Sequence, residues 1–357
     1  MQTISVIVPA YNASSTIGKC IESLITQSRR PNEIIVVDDC SHDNTAEIAL
    51  NMGADKVVRL TKNLGPGGGR NAGVETASGE ILAFTDADCV APPNWLEIMV
   101  AALDAPGVVA ATGGYSETVE DSFITRLQYL ILHWRQSKLP AAIESIITSN
   151  FACLKSAFQA VGGFPIYCRR SEPDKPVWGN EDEELGLLLS RAGGKIRWVS
   201  NVGVLHLFRT DLKGYLKQQK FYAERIVMSH FRFADMAKSE SNYSRLSGAL
   251  HLGAVTGIVF GMVALLGWFA GIGLMKWTAA FALAVSAPVY LLLPIPSLLE
   301  FNRMGQSARF LILSYIVLLM VDIVWFVGAV SGTLLSLGGF KNGDPPCLNT
   351  SETLTSK

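Results

Sequence analysis

The strongest constraint on this chain is a pattern repeated through its N-terminal part. Ile4-Ser5-Val6-Ile7-Val8-Pro9, Glu33-Ile34-Ile35-Val36-Val37, Lys56-Val57-Val58-Arg59-Leu60 and Ile81-Leu82-Ala83-Phe84 are short apolar runs, rich in β-branched residues. Such runs are buried strands by content. Helical stretches stand between them. Ser14 or Ser15 can cap one that runs to about Gln27, a second ends near Met52, and a third ends near Ala77. Strand and helix alternating at this spacing predict an α/β fold, a mostly parallel Rossmann-like sheet covered on both faces. Ligands of such sheets bind outside the carboxyl ends of the strands.

Polar features collect at that edge. Tyr11 and Asn12 follow the first strand, Asp38 and Asp39 end the second, and Gly65-Pro66-Gly67-Gly68-Gly69-Arg70-Asn71-Ala72-Gly73 follows the third. Asp86-Ala87-Asp88-Cys89 follows the fourth. Carboxylates are seldom buried unless paired or bound to a metal. Asp86 and Asp88 are therefore a solvated strand exit or a cation site, and magnesium or manganese takes such ligands together with phosphate oxygens. The glycine-rich turn also has competing readings. Gly67-x-Gly69-x-x-Ala72 formally fits a dinucleotide fingerprint, which would make the chain a nicotinamide-dependent oxidoreductase. That fingerprint normally follows the first strand of its unit, and here the first strand leads into Pro9-Ala10-Tyr11-Asn12. Arg70 beside backbone N–H groups at a helix start suits a diphosphate. A plain turn with a surface arginine fits as well.

Composition removes some alternatives. A formal net charge of -1 over 357 residues gives no reason to expect nucleic acid as a partner. None of the six cysteines forms a Cys-x-x-Cys pair, so neither a zinc ribbon nor a thioredoxin-type site is indicated, and scattered cysteines suit a reducing compartment. The N-terminus enters a strand pattern directly, without the basic region of a secretory signal.

Further along, Val108 to Gly114 is another strand. About Asp121 to Lys138 is helical and apolar, with Arg126, His133 and Arg135 interrupting it; core packing and a membrane-facing role both fit. Thr148 to Lys155, which includes Asn150, leads to Gly162-Gly163-Phe164. The charged stretch of about Ile166 to Gly179 is expected to be irregular, either a mobile lid or a surface loop. Gly179-Asn180-Glu181-Asp182-Glu183-Glu184 opens a helix through Arg191, where four acids suit the helix dipole. A last strand ends in Val204-Leu205-His206, and that histidine suits a metal or the core.

Hydrophobic residues make up 49% of the chain and are concentrated after Leu246. The expected organisation is a catalytic domain over 1–211, an amphipathic interfacial helix over 212–245, membrane helices over 246–340 and a polar tail over 341–357. The interfacial helix alternates Lys213, Lys217, Lys220 and Arg225 with aromatic residues, as expected on anionic lipid. Apolar stretches at about 248–275, 277–299 and 308–337 are each long enough for a hydrocarbon core of about 30 Å. Asp322 lies inside the third, an expensive placement that calls for an intramembrane partner or an acceptor-lipid contact. Basic residues flank the first span on one side and fall between the second and third, while Lys276 alone separates the first from the second. The positive-inside rule then puts the catalytic domain on the cytoplasmic face of the inner membrane and the tail outside.

Four segments together carry a resemblance: Val6-Ile-Val-Pro-Ala-Tyr-Asn12, Val36-Val-Asp-Asp-Cys-Ser-His-Asp-Asn-Thr45, Gly69-Arg-Asn-Ala-Gly73 and Phe84-Thr-Asp-Ala-Asp88. In order and spacing they resemble the inverting family 2 glycosyltransferases of the GT-A fold. The resemblance implies a nucleotide-sugar donor, with a UDP-sugar the expected one. It implies that Pro9, Ala10 and Tyr11 line the nucleotide pocket and that Asp39 recognises the base. Asp86 and Asp88 would hold a divalent metal, manganese or magnesium, bridging the donor diphosphate, with Asp88 the more direct ligand and His206 a further candidate. Asn150, Gly162, Gly163 and Phe164 match the acceptor-side segment. Asp182 matches the general base, with Glu181 supporting it. Processive relatives carry Gln-x-x-Arg-Trp where this chain has Gln218-Gln-Lys-Phe-Tyr222, which points to transfer of a single sugar. The acceptor is then a membrane lipid or lipid-linked glycan: a hydroxyl, which needs a base, or a polyprenyl phosphate, which does not. A membrane scaffold without catalysis is disfavoured because every charged motif position is filled.

Overall fold

A computed structural model describes residues 2–116, 122–169, 172–177, 179–232, 245–270, 275–337 and 354–355. The expected parallel strands form as β1 (Ile4–Ala10), β2 (Glu33–Asp38), β3 (Lys56–Leu60) and β4 (Ile81–Phe84). Helices α1 (Ile17–Ile25), α2 (Thr45–Asn51) and α3 (Gly65–Thr76) stand between them. Then follow β5 (Cys89–Val90), α4 (Trp95–Leu103), β6 (Val108–Tyr115), α5 (Phe123–Gln136) and β7 (Ala142–Ile143). The sheet-bearing part closes with β8 (Phe151–Leu154), α6 (Lys155–Ala160), β9 (Tyr167–Arg169), β10 (Glu172–Val177), α7 (Glu181–Arg191) and β11 (Lys195–His206).

Through the sheet the strand order is β3-β2-β1-β4-β8-β6-β11-β5. β1, β2, β3 and β4 are parallel, β8 runs antiparallel between β4 and β6, and β11 is parallel to β6. The strands of β1, β2 and β4 are buried on both faces, as a covered sheet requires. Two apolar clusters form on opposite faces. Val6, Val8, Val36 and Ala83 point to the side of α1 and α4, while Ile7, Ile35, Val37, Leu82 and Phe84 point to the side of α3 and α6.

Local chemistry moves some boundaries. α1 begins at Ile17 rather than at a serine cap, because the Ala13 and Ser14 N–H groups donate to Thr45 and Asp43 of the next loop. The glycine-rich segment is helix from Gly65, not an open turn. Its glycines permit close approach to the sheet: a Cβ on Gly73 would fall 2.5 Å from Ile7 Cγ2. The stretch expected to be irregular contains the antiparallel hairpin β9–β10.

Beyond the sheet lie α8 (Leu212–Arg232), α9 (Arg245–Phe269), α10 (Met275–Leu292), α11 (Ile295–Arg303) and α12 (Ala308–Leu337). Three segments, His251–Phe269, Lys276–Arg303 and Ala308–Leu337, are long and apolar enough to cross a membrane. The middle one bends between α10 and α11, where Pro294 and Pro296 sit at the helix start that proline favours. Asp322 has the partner its position demands: His251 Nδ1 lies 2.6 Å from its Oδ1, although the His251 side chain is only partly buried. Of the tail, only Leu354–Thr355 is described, as a short strand beside β3.

Candidate active site

The carboxyl edge of the sheet is built from loops that hold one another. Asn12, at φ 50°, accepts from the His42 N–H and donates its own N–H to Ser41 Oγ, which joins the ends of β1 and β2. Tyr11 is left half exposed above them. Asp39 is buried, and the Leu64 and Gly65 N–H groups donate to its two oxygens at 2.7 and 2.8 Å. Burial pushes its carboxyl up to about 6, against those two donors. Asp39 thus also fixes the start of α3, a task the sequence did not show.

Arg70 is the hub of the edge. Its side chain is 3% exposed, and Nη2 donates to Asp86 Oδ1 at 2.6 Å. Nη1 reaches Glu181 Oε1 at 3.3 Å, and the guanidinium lies over the Phe164 ring at 5.4 Å. Both amino groups are on carboxylates, so Arg70 ties the Asp86 strand end to the start of α7. Asn71, next in α3, closes the opposite side. Its side chain donates to the Phe164 carbonyl at 2.8 Å and accepts the Phe164 N–H at 2.9 Å. The turn between needs left-handed backbone, φ 84° at Gly162 and 75° at Gly163, which glycine supplies without strain. Phe164 is buried edge-on against Phe84 and Phe158. It is a packing anchor close to the site. Asn150 is fully buried, accepts from Trp95 Nε1 at 2.8 Å and donates to the Gly114 and Val202 carbonyls. That leaves it inside the fold, braced between α4 and β6, within the segment the resemblance put on the acceptor side.

The helix dipole alone does not explain the acids that open α7. Glu181 spans from Arg70 to the Gly179 N–H, which donates to its Oε2 at 2.8 Å. Asn180 is left-handed at φ 77°, and this turn delivers the Asp182 side chain to the same edge. Asp182 accepts the Glu183 N–H at 2.9 Å. Burial, reinforced by the charges of Glu181 and Glu183, pushes its carboxyl up to about 8, although Arg70 opposes the rise. Such a pKa suits a group that takes up a proton near neutral pH.

Asp88 faces the other way. His206, paired to Cys89 across β5 and β11, puts Nε2 3.7 Å from Asp88 Oδ1. Asp88, Cys89 and His206 offer ligand atoms within 4.8 Å of one another. Burial raises the Asp88 carboxyl, and the neighbouring His206 counters it. A cation shared by Asp88 and His206 would take Nε2, the ring nitrogen that faces Asp88, while the buried Nδ1 has no hydrogen-bond partner among the described residues. Cys89 fits such a cation poorly: burial holds its thiol well above its ordinary pKa, and thiols bind metals as thiolates. A carboxylate and an imidazole with open positions beside them fit manganese or magnesium. Asp86, engaged by Arg70, stands one step back from this pair.

Four more neighbours line this edge: Tyr115, to which the sequence gave no role, and Phe221, Tyr222 and Arg225, which it put on the interfacial helix. Tyr115, at the end of β6, packs edge-on against His206 with ring centroids 5.3 Å apart and accepts from Ser149 Oγ at 3.1 Å. From α8, Phe221 and Arg225 lie over Gly179, where a Cβ would fall 3.0 and 2.9 Å from them. Tyr222, partly exposed on the same helix, stands close enough to the edge for Asp182 and Asp86 to disfavour ionisation of its hydroxyl. Position on a strand end or a helix face decides these placements, and residue type alone gives no sign of it.

The sheet is thus mixed and mostly parallel, with a carboxylate pair, an arginine hub and a raised aspartate at one edge. Residues 5–162 match the family described as Glycosyl transferase family 2. The chain is 34% identical over 164 residues to the "Succinoglycan biosynthesis protein ExoO" of Rhizobium meliloti, covering 44% of this chain and 47% of that protein. It is 30% identical over 169 residues to "Glycosyltransferase AglE" of Haloferax volcanii, covering 45% of this chain and 56% of that protein. The chain thus spans about half the length of these curated relatives. Among solved structures, the mannosyltransferase PcManGT from Pyrobaculum calidifontis, in complex with GDP-Man and Mn2+, superposes with a TM-score of 0.60 at 21% identity. That match covers 93% of this chain and 87% of the other, a likeness of fold of the GT-A type.

Proposed function

We propose that this chain is a membrane-anchored, inverting glycosyltransferase. It moves one sugar from a nucleotide-sugar, a UDP-sugar by our reading, to a hydroxyl of a membrane glycolipid or lipid-linked glycan in envelope synthesis. The observation that carries this reading is the convergence of Asp86, Asp88, Glu181 and Asp182 around Arg70 and His206 at one sheet edge, roofed by α8.

Each residue has a chemical task. Asp182 takes the proton from the acceptor hydroxyl as its oxygen attacks the anomeric carbon, and positioned base catalysis contributes about 10²–10⁴-fold. Glu181 holds the turn that aims Asp182, through Arg70 and the Gly179 N–H. Asp88 and His206, with Asp86 behind them, would hold a divalent cation. Once bound, such a cation offsets the charge that develops on a diphosphate leaving group. Presence of Mn2+ and a nucleotide-sugar in the solved mannosyltransferase supports this use of the site.

A second reading has its own support. Arg225 of α8 packs its Cγ by Gly179 and holds its guanidinium over the Phe221 ring at 4.9 Å, a cation near the start of α7 that suits the phosphate of a polyprenyl acceptor. The experiment is a nucleotide-sugar panel read by nucleotide release, with membrane lipid extract or pure polyprenyl phosphate as acceptor. Release of UDP that requires hydroxyl-bearing lipid is the expected result. Release driven by polyprenyl phosphate alone would select the second reading. No release with any donor would defeat both.

A further inference from the structure

By length and composition α12 can cross a membrane, but its contacts say more. α12 follows α8 along most of that helix. Val317 joins the apolar cluster of Tyr215, Trp325 Nε1 donates to Gln219 Oε1 at 3.0 Å, and Leu335 packs on Met228. Gly328 and Gly332 make the approach possible: a Cβ on either would fall 2.5 Å from a backbone oxygen of α8, that of Lys220 or Glu224. α8 in turn rests on the catalytic domain at both ends. Tyr215 lies among Ile124 and Leu127 of α5, and Ser229 Oγ donates to Glu184 Oε1 of α7 at 2.5 Å. α12 therefore tracks the wall of the catalytic domain at a remove of one helix, about 10 Å. If it crossed a hydrocarbon core of about 30 Å, it would carry α8 and the acid-rich start of α7 in with it.

The side of α12 turned away from α8 is apolar and open. Ile312, Ile316, Met320, Ile323, Val327 and Leu334 recur at helical spacing and are 36% to 64% exposed. α9 and α10 differ from it. They pair with each other, Gly257 on Ser286 and Gly261 on Leu283, and touch α12 near their base, through His251–Asp322 and Tyr290–Leu319. At the far end Lys276 lies 5.6 Å from the ring centroids of both Trp268 and Trp277, the composition of a membrane–water boundary.

We propose that the α9–α10 hairpin crosses the membrane while α12 lies in its plane, with the open stripe seated in the acyl chains of the leaflet that faces the catalytic domain. The stripe continues into the exposed apolar surface of the hairpin, with Phe260 and Val263 among its residues, which favours acyl chains over a protein partner as the occupant. Arg303 and Arg309, flanking the start of α12, then sit at headgroup level. The end of α12 stays on the catalytic side, instead of emerging opposite as three crossings would require. This placement rests on the membrane reading and is independent of which sugar is moved.

The test uses the full chain reconstituted in vesicles, with nitroxide labels on Ile316→Cys, Ile323→Cys and Val330→Cys, and depth read from oxygen and nickel-chelate accessibility. The three labels are expected at one shallow depth. A depth that changes steadily, by about 20 Å over these fourteen residues at 1.5 Å each, would overturn the proposal. Labels that are all in water would overturn the membrane reading itself, which is a distinguishable failure. If labelling of the helix disturbs folding, an impermeant maleimide on Lys276→Cys and Asn342→Cys in sealed vesicles decides the matter. Modification of the two from opposite faces, with position 342 on the face of the catalytic domain, is expected; modification from the same face would refute the in-plane helix.

Discussion

Replacing Asp182 by asparagine removes the proton acceptor while keeping the shape of the side chain. The parent carboxyl sits at about 8 because burial and two acidic neighbours disfavour its charge. At pH 7 about one-tenth of such a group is ionised and at pH 9 about nine-tenths, so the parent kcat/KM should rise about tenfold between them. Asp182→Asn should lower turnover at least about a hundredfold and flatten that rise. Stability gives a second readout of opposite sign. A carboxyl whose folded pKa is raised holds its proton more firmly in the folded state. Its contribution is full below the unfolded value of 3.8 and is lost as pH climbs through about 8. Asp182→Asn should therefore melt above the parent at pH 9 and near it at pH 4. The assays are nucleotide release across pH 6 to 9.5 and thermal unfolding in detergent. A parent profile already flat below pH 6, or a variant with near-normal turnover, would refute the role of Asp182 as base.

Other outcomes follow from the same geometry. Arg70→Ala strands the Asp86 and Glu181 carboxylates and should cost about 3 kcal/mol, as loss of one partner of a buried ion pair does; chemical denaturation measures it, and Arg70→Ala with Asp86→Asn and Glu181→Gln should recover part of the loss. A chelator should stop turnover and manganese should restore it, while His206→Ala should raise the manganese concentration needed for half-maximal rate; full activity in chelator would remove the cation from the site. Phe164→Ala opens a void among Phe84, Phe158 and Arg70 and should destabilise the domain by about 3–5 kcal/mol, read in the same denaturation experiment.

Much of the catalytic domain could be read from one sequence because its strands are buried on both faces. Burial of that kind forces apolar, β-branched runs, and these announced β1, β2 and β4 together with the edge where ligands bind. The carboxylates at that edge were legible for the complementary reason, since charge after such a run needs a partner. Which partner was not legible. Arg70 and Glu181 stand 111 positions apart, and nothing local in either shows that they meet. Tyr115 and His206 become neighbours through the pairing of β6, β11 and β5, which no periodicity records. Asn150 was named only through the acceptor-side segment it belongs to, and its bond from Trp95, 55 positions away, has no local sign. In the apolar region composition fixes how far a helix can reach and leaves its direction open, so α12 needed its contacts with α8 to be placed.

The seating of α12 on α8 has a geometric consequence for the acceptor. α8 presents Phe221, Tyr222 and Arg225 toward the site with one face, and a helix of the membrane lies along another. With α12 held in the leaflet, the height of Asp182 above the lipid is set by protein thickness, at about one helix diameter. The enzyme then acts as a gauge of stature. A hydroxyl on a sugar close to its lipid anchor meets the base with its own tether slack, whereas the tip of a long glycan would have to bend back to reach it. Short lipid-linked acceptors should be elongated in preference to tall ones, whatever sugar is delivered.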